Sequence, residues 1–90
     1  MKRWWIAILV SGMLWSTAPA AAQDARAEAR ENFNAGVASF ESEDYSSALS
    51  SFQEAYRLAP HPSVRVNMAN CYERLDRPLE ALFHYESFLS

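Results

Sequence analysis

An all-α fold is predicted for this chain of 90 residues, and three features of the sequence predict it. Apolar residues recur three and four positions apart, the period of a helix with one buried face. No stretch alternates apolar and polar residues long enough to make a half-buried strand. Prolines and short acidic turns divide the apolar pattern into separate segments, and the chain has only two glycines to loosen it.

The N-terminal segment stands apart from the fold. "MKRWWIAILVSGMLWSTAPAAAQ" sets Lys2 and Arg3 before an apolar run, Trp4 to Trp15, and then small residues with Pro19 from Ser16 to Ala22. That is the layout of a secretory signal peptide over residues 1–22. Ala20 and Ala22 fit the shallow pockets of a signal peptidase, so cleavage is expected after Ala22, leaving Gln23 first; Ala18-Pro19-Ala20 offers a second site. No cysteine stands at the junction, which excludes the lipid-modified form of such a signal. Left uncut, the segment would tether the chain to a membrane. Its strongly apolar part is shorter than the about 20 residues a spanning helix needs, and only the alanine-rich tail brings it to a marginal span.

Four helical segments follow within residues 23–90. Phe33, Gly36, Val37 and Phe40 share one face, and Ala48, Leu49, Phe52, Ala55 and Tyr56 the next. Val64, Met68, Cys71, Tyr72 and Leu75 make a third face, and Leu82, Tyr85, Phe88 and Leu89 a fourth. The breaks between them have chemical causes. Asp44, at the end of "SED", can accept hydrogen bonds from the free N–H groups that open the second helix. "PHP" (Pro60 to Pro62) ends it, because proline lacks an N–H and disfavours helix in the residue before it. Pro78 falls at the start of the fourth helix, where a missing N–H costs nothing. Helices of about 12 to 18 residues joined by turns of about two to four read as antiparallel neighbours.

The two helix pairs also resemble each other. "GVASFESEDYSSALSSFQEAYRLAP" lies over "ANCYERLDRPLEALFHYESFLS" at an offset of 33 residues, so that Gly36 matches Ala69, Ala48-Leu49 matches Ala81-Leu82, and Phe52 matches Tyr85. A helix-pair repeat of this period marks an α-solenoid. Gly36 at a close helix crossing, then Ala48, Phe52, Ala55 and a closing Pro60, resembles the tetratricopeptide repeat. Ala69, Tyr72, Ala81 and Tyr85 carry the likeness in a second unit. The units cover about residues 29–61 and 62–90. Asn32 and Arg65 depart from the family's usual large residue, Glu43 and Asp76 stand where glycine is common, and Phe88 stands where a small residue is preferred. Asp tolerates the left-handed backbone of such a turn better than Glu does. "NCYERL" and "ALFHYESFL" further resemble helical-repeat modules of exported Gram-negative envelope proteins.

That resemblance implies a concave groove, lined by the first helix of each unit, that receives a peptide or protein segment. By position it implies Arg30, Phe33, Asn34, Val37, Phe40 and Glu41 from the first unit, and Val66, Asn67, Asn70, Glu73 and Arg74 from the second. Apolar groups there supply area, while Asn and Arg can bond a ligand backbone or carboxylate. The basic clamp that some members use on a chain terminus is not reproduced, since Phe33 and Val66 occupy its positions. Burial of Phe33 and Phe40 against the neighbouring helix is the competing reading.

Other chemistry finds little support. A formal net charge of −3, with Lys2 the only lysine, argues against nucleic acid or an anionic membrane surface as partner. Cys71, His84, Asn67 and Asn70 hold the residue types of a nucleophilic site, but Cys71 falls on the apolar stripe of Met68 and Leu75, where a thiol is a small inert hydrophobe. One cysteine with His61 and His84 falls short of the about four ligands of a structural zinc site, and no glycine-rich phosphate loop exists. The run Glu41 to Asp44 reads as a solvated helix end with its cap. No cofactor is expected.

A chain this small has marginal stability, and repeat arrays need about three units to cover one another. The fourth helix, with Phe83, Phe88 and Leu89, has no polar capping helix after it. The expectation is therefore the opening portion of a longer protein, or an open face that meets a partner or a second copy. Taken together, the sequence points to an exported, non-catalytic scaffold for protein–protein interaction in the periplasm or envelope of a Gram-negative bacterium. The alternatives are an N-terminal module of a larger envelope enzyme or assembly factor, and a membrane-tethered scaffold.

Overall fold

The computed structural model describes residues 17–90, with side chains from Ala20, as four helices: α1 (Thr17–Glu41), α2 (Tyr45–Leu58), α3 (Pro62–Arg74) and α4 (Pro78–Leu89). The Trp4 to Trp15 run of the expected signal lies outside the described residues. Among the described residues there is no strand. α1 packs on α2, α2 on α3 and α3 on α4, which makes chain neighbours spatial neighbours.

α1 has 25 residues, longer than the periodicity of its apolar face predicts. The added length comes from "AAAQDARAEARE", whose Ala, Gln, Arg and Glu are strong helix formers and need no apolar face to stay helical. Pro19 falls in the first described turn of α1. Ala22 and Gln23, the expected cleavage pair, are exposed within this helix.

The turns that close each helix pair are built alike. In the first, Glu43 takes a left-handed backbone (φ 63°), and Asp44 N donates to Ser39 O at 2.8 Å while Glu43 N donates to Phe40 O at 2.9 Å. In the second, Asp76 is left-handed (φ 61°), Arg77 N donates to Tyr72 O at 2.9 Å, and Asp76 N to Glu73 O at 3.1 Å. Both satisfy the last carbonyls of a helix through a left-handed cap, and every participant in one stands 33 positions from its counterpart in the other. The expected cap is present: Asp44 Oδ1 accepts from Ser47 N at 3.3 Å. Between the pairs, Ala59 is extended before Pro60, Pro62 opens α3, and His61 caps it by accepting from Ser63 N. That capping role was not legible in the "PHP" motif.

The core is one cluster. Ala48, Leu49, Phe52, Val64, Met68, Ala69, Cys71, Tyr72 and Ala81 are buried together, with Phe33, Val37, Phe40, Tyr56, Leu75 and Tyr85 half-buried against them. Gly36 is required at its crossing: a Cβ there would stand 2.7 Å from the Phe52 ring. The fourth apolar face does not pack as expected. Of Leu82, Tyr85, Phe88 and Leu89, only Tyr85 packs on the cluster; Leu82 is 53% and Leu89 80% exposed, and Ala81 is the buried residue of α4. The reason is positional. α3 covers α2 on one side, and among the described residues no helix lies over the corresponding side of α4.

Candidate functional site: the groove between α1 and α3

Two antiparallel turns bring α1 and α3 round to run in the same direction, with α2 behind them. A cleft of about 190 Å³ opens between them. Val37, Phe40 and Glu41 line it from α1, Asn67 and Asn70 from α3, and Phe52 of α2 forms its floor. These positions are set by helical spacing. Phe40 and Glu41 stand three and four positions after Val37 on one face of α1, and Asn70 stands three after Asn67 on α3. Five of the residues that the repeat pattern marks for a groove thus meet at one cleft, together with Phe52, which it did not mark.

Nearer the start of α1 the groove widens into a second hollow of about 330 Å³, where Arg30 and Phe33 face Val64 of α3 across Ala55 of α2. Phe33 is half-buried, its ring tilted on Phe52 at 5.4 Å between centroids, so it serves both the core and the groove wall. Asn34 is exposed, and Val66 is half-buried outside the lining of either hollow.

The far end of the groove is tied up by the protein itself. Arg74 Nη1 donates to the Tyr45 hydroxyl at 2.8 Å, and its guanidinium lies over the rings of Phe40 (5.2 Å) and Tyr45 (5.4 Å). Phe40 and Tyr45 meet edge to face at 5.0 Å, so the cation closes a small aromatic box. Tyr85 OH donates to Glu73 Oε1 at 2.7 Å and also stands within bonding distance of the Asn70 amide. A phenol has one proton, so Glu73 Oε1 and Asn70 Oδ1 are alternative acceptors for the same Tyr85 O–H. The bond to Glu73, with burial and the carboxylate's charge behind it, pushes the Tyr85 hydroxyl up to about 12. Asn70, Glu73 and Arg74 therefore work first as internal struts. Val37, Glu41 and Asn67 are the groove residues with surface to offer a ligand; Asn67 makes only a long 3.5 Å bond to Ser63 O.

Sequence reasoning missed a second aromatic layer on the opposite side of α3. Arg65 lies over the Tyr56 and Phe83 rings and donates to His84 Nδ1 at 3.4 Å, while His84 stacks on Tyr72 at 5.4 Å. Burial, then the Arg65 charge, holds the His84 imidazole below its usual range, which favours the neutral ring that can accept from Arg65. Arg65 standing where the first unit has Asn32 was the available signal, seven residues before Tyr72 on one helix ridge.

Cys71 is fully buried, as its stripe predicts, and burial pushes its thiol up to about 11, leaving it protonated at neutral pH. Its supposed partners are engaged elsewhere, His84 with Arg65 and Tyr72, Asn70 with Tyr85. Among the described residues no three His, Cys, Asp or Glu side chains are grouped to hold a metal ion, and no helix is long and apolar enough to cross a membrane. The chain matches no protein-family model, and no curated protein or solved structure is significantly similar to it.

Proposed function

We propose that this chain is an exported, tetratricopeptide-like pair of helical repeats that binds a segment of another protein in the α1–α3 groove and carries out no catalysis. The observation that carries the reading is the cleft itself, with an apolar wall of Val37 and Phe40, an aromatic floor of Phe52, and polar groups of Asn67 and Glu41 at its lip. An extended or helical peptide is recognised by that combination, apolar side chains filling the hollow while amide and carboxylate groups bond its backbone. The repeat assignment draws support from the two left-handed turns with the same bonding at an offset of 33 residues. The signal-like layout of residues 1–22 supports export, and the likeness of "NCYERL" and "ALFHYESFL" to modules of Gram-negative envelope proteins supports the periplasm or cell envelope as the place of binding.

The test is selection of peptides from a random displayed library on the immobilised chain, followed by titration against Val37→Glu and Asn67→Ala. Val37→Glu puts a charge on the apolar wall and is expected to weaken selected peptides by about a hundredfold; Asn67→Ala removes a surface amide and is expected to cost about tenfold. Peptides that bind both variants as tightly as the parent would end the groove assignment. The second variant leaves the core untouched, so its result stands if the first unfolds.

A further inference from the structure

The two ends of the α1–α3 groove carry opposite charge. The wide hollow is lined by Arg26 and Arg30 and by no acid. The narrow cleft has a single charged side chain in its lining, Glu41. Arg26 and Arg30 stand four positions apart, so both guanidinium groups serve the same stretch of groove. The ion pairs among the described residues join Arg57 to Glu54 and Arg77 to Glu80, and leave these two arginines without one. The acids of the same part of α1 do not neutralise them. By the helical period Asp24, Glu28 and Glu31 fall on the opposite side of the helix. Like charges one turn apart weaken a helix, and an anion bound across both would offset that cost.

At the other end the cation that could neutralise Glu41 is committed elsewhere. Arg74 is held by the Tyr45 hydroxyl and the Phe40 ring. Between the two ends, Phe33 and Val37 continue the same face of α1 with apolar surface. Glu41 follows Arg30 by eleven positions and Arg26 by fifteen, which separates the charges by about 16 to 22 Å along the helix. An extended chain covers that distance in about five to seven residues.

Resting on the groove reading above, we infer what kind of segment the groove takes: an extended one with an acidic residue at Arg26 and Arg30, an apolar middle along Phe33 and Val37, and a basic residue at Glu41. Charge complementarity at both ends then selects the ligand and fixes which way round it lies.

The test adds charge reversal to the selection from a random displayed library. Peptides selected on the parent chain are expected to carry an acid and a base about five to seven residues apart. Arg26→Glu with Arg30→Glu should weaken such a peptide about tenfold, and changing its acid to lysine should restore the loss on that variant. Glu41→Lys should act in the same way on the basic end, and both effects should shrink as salt is raised. Arg26, Arg30 and Glu41 are exposed, so the reversals leave the core untouched. Peptides that lose affinity in Val37→Glu or Asn67→Ala but carry no such charge pair, or bind the reversed chains unchanged, overturn this inference and leave the groove reading standing. Peptides indifferent to Val37→Glu and Asn67→Ala end both. Self-association of the chain that disappears in the Arg26, Arg30 variant would assign the arginines to an acid of a second copy, and overturns the inference as well.

Discussion

The two helix pairs close through the same turn yet bury their second helices to different depths. α2 hides Ala48, Leu49, Phe52 and Ala55, whereas α4 hides Ala81 alone. The local rules are equal: each helix starts 33 positions from the other, after a left-handed residue and a matching pair of closing bonds. What differs is the company. α2 lies between α1 and α3, whereas among the described residues α4 packs on α3 alone. Backbone form in this chain is thus set by short-range sequence, and burial by which helices stand nearby.

The sharpest way to break that contrast is to remove a large apolar side chain from each helix. Phe52 is 2% exposed and touches both the core and the groove floor. Phe52→Ala is expected to cost about 3–5 kcal/mol, from lost burial plus the cavity left behind, which is most of the stability of so small a domain. Leu82→Ala on α4 should change it by less than about 0.5 kcal/mol, because a side chain half in water loses little more when truncated. Urea unfolding followed by far-UV circular dichroism reads both, and Phe52→Leu provides a graded version if the alanine variant is unfolded throughout. Equal costs at the two positions would mean that α4 is covered in solution.

A smaller effect separates the two helix crossings. Ala69 carries a Cβ in a fully buried place in the second pair, while Gly36 has the Phe52 ring where a Cβ would go. Gly36→Ala forces that ring to move. It should destabilise by about 1–3 kcal/mol as an overpacked core does, outweighing the gain of up to about 1 kcal/mol that Ala normally brings to a helix. A more stable Gly36→Ala variant in the same urea assay would show that the Phe52 ring yields freely at this crossing.

These contrasts also mark how far the sequence could be read. Three of the four apolar stripes, the Asp44 cap, Pro78 at the start of α4 and the burial of Cys71 follow from spacing and from the chemistry of single residues. The exposure of Leu82 and Leu89 does not, because periodicity gives the face of a helix and not what stands opposite. The same limit governs the groove. The family resemblance implied a groove that included Val37, Phe40, Glu41, Asn67 and Asn70, and these five line one cleft. That Arg74 would fold back on Phe40 and Tyr45, and Tyr85 reach Glu73, depends on where long side chains find partners across helices, which no one-dimensional spacing encodes.

The least effect expected comes from the turns, and it sharpens the contrast because there the two pairs are alike in shape and differ in residue. Glu43 and Asp76 share a left-handed backbone that crowds any Cβ. Asp visits that region with local help from its short side chain, and Glu has no such help. Glu43→Gly removes the crowding but also loosens the unfolded chain, and the two effects oppose each other. The net gain should be about 0.5 kcal/mol, with a smaller gain for Asp76→Gly, read as a rise in the urea midpoint at unchanged slope. If Glu43→Gly loses stability and Asp76→Gly does not, the Glu43 side chain contributes something beyond its backbone, and the two turns, alike in bonding, differ in what holds them.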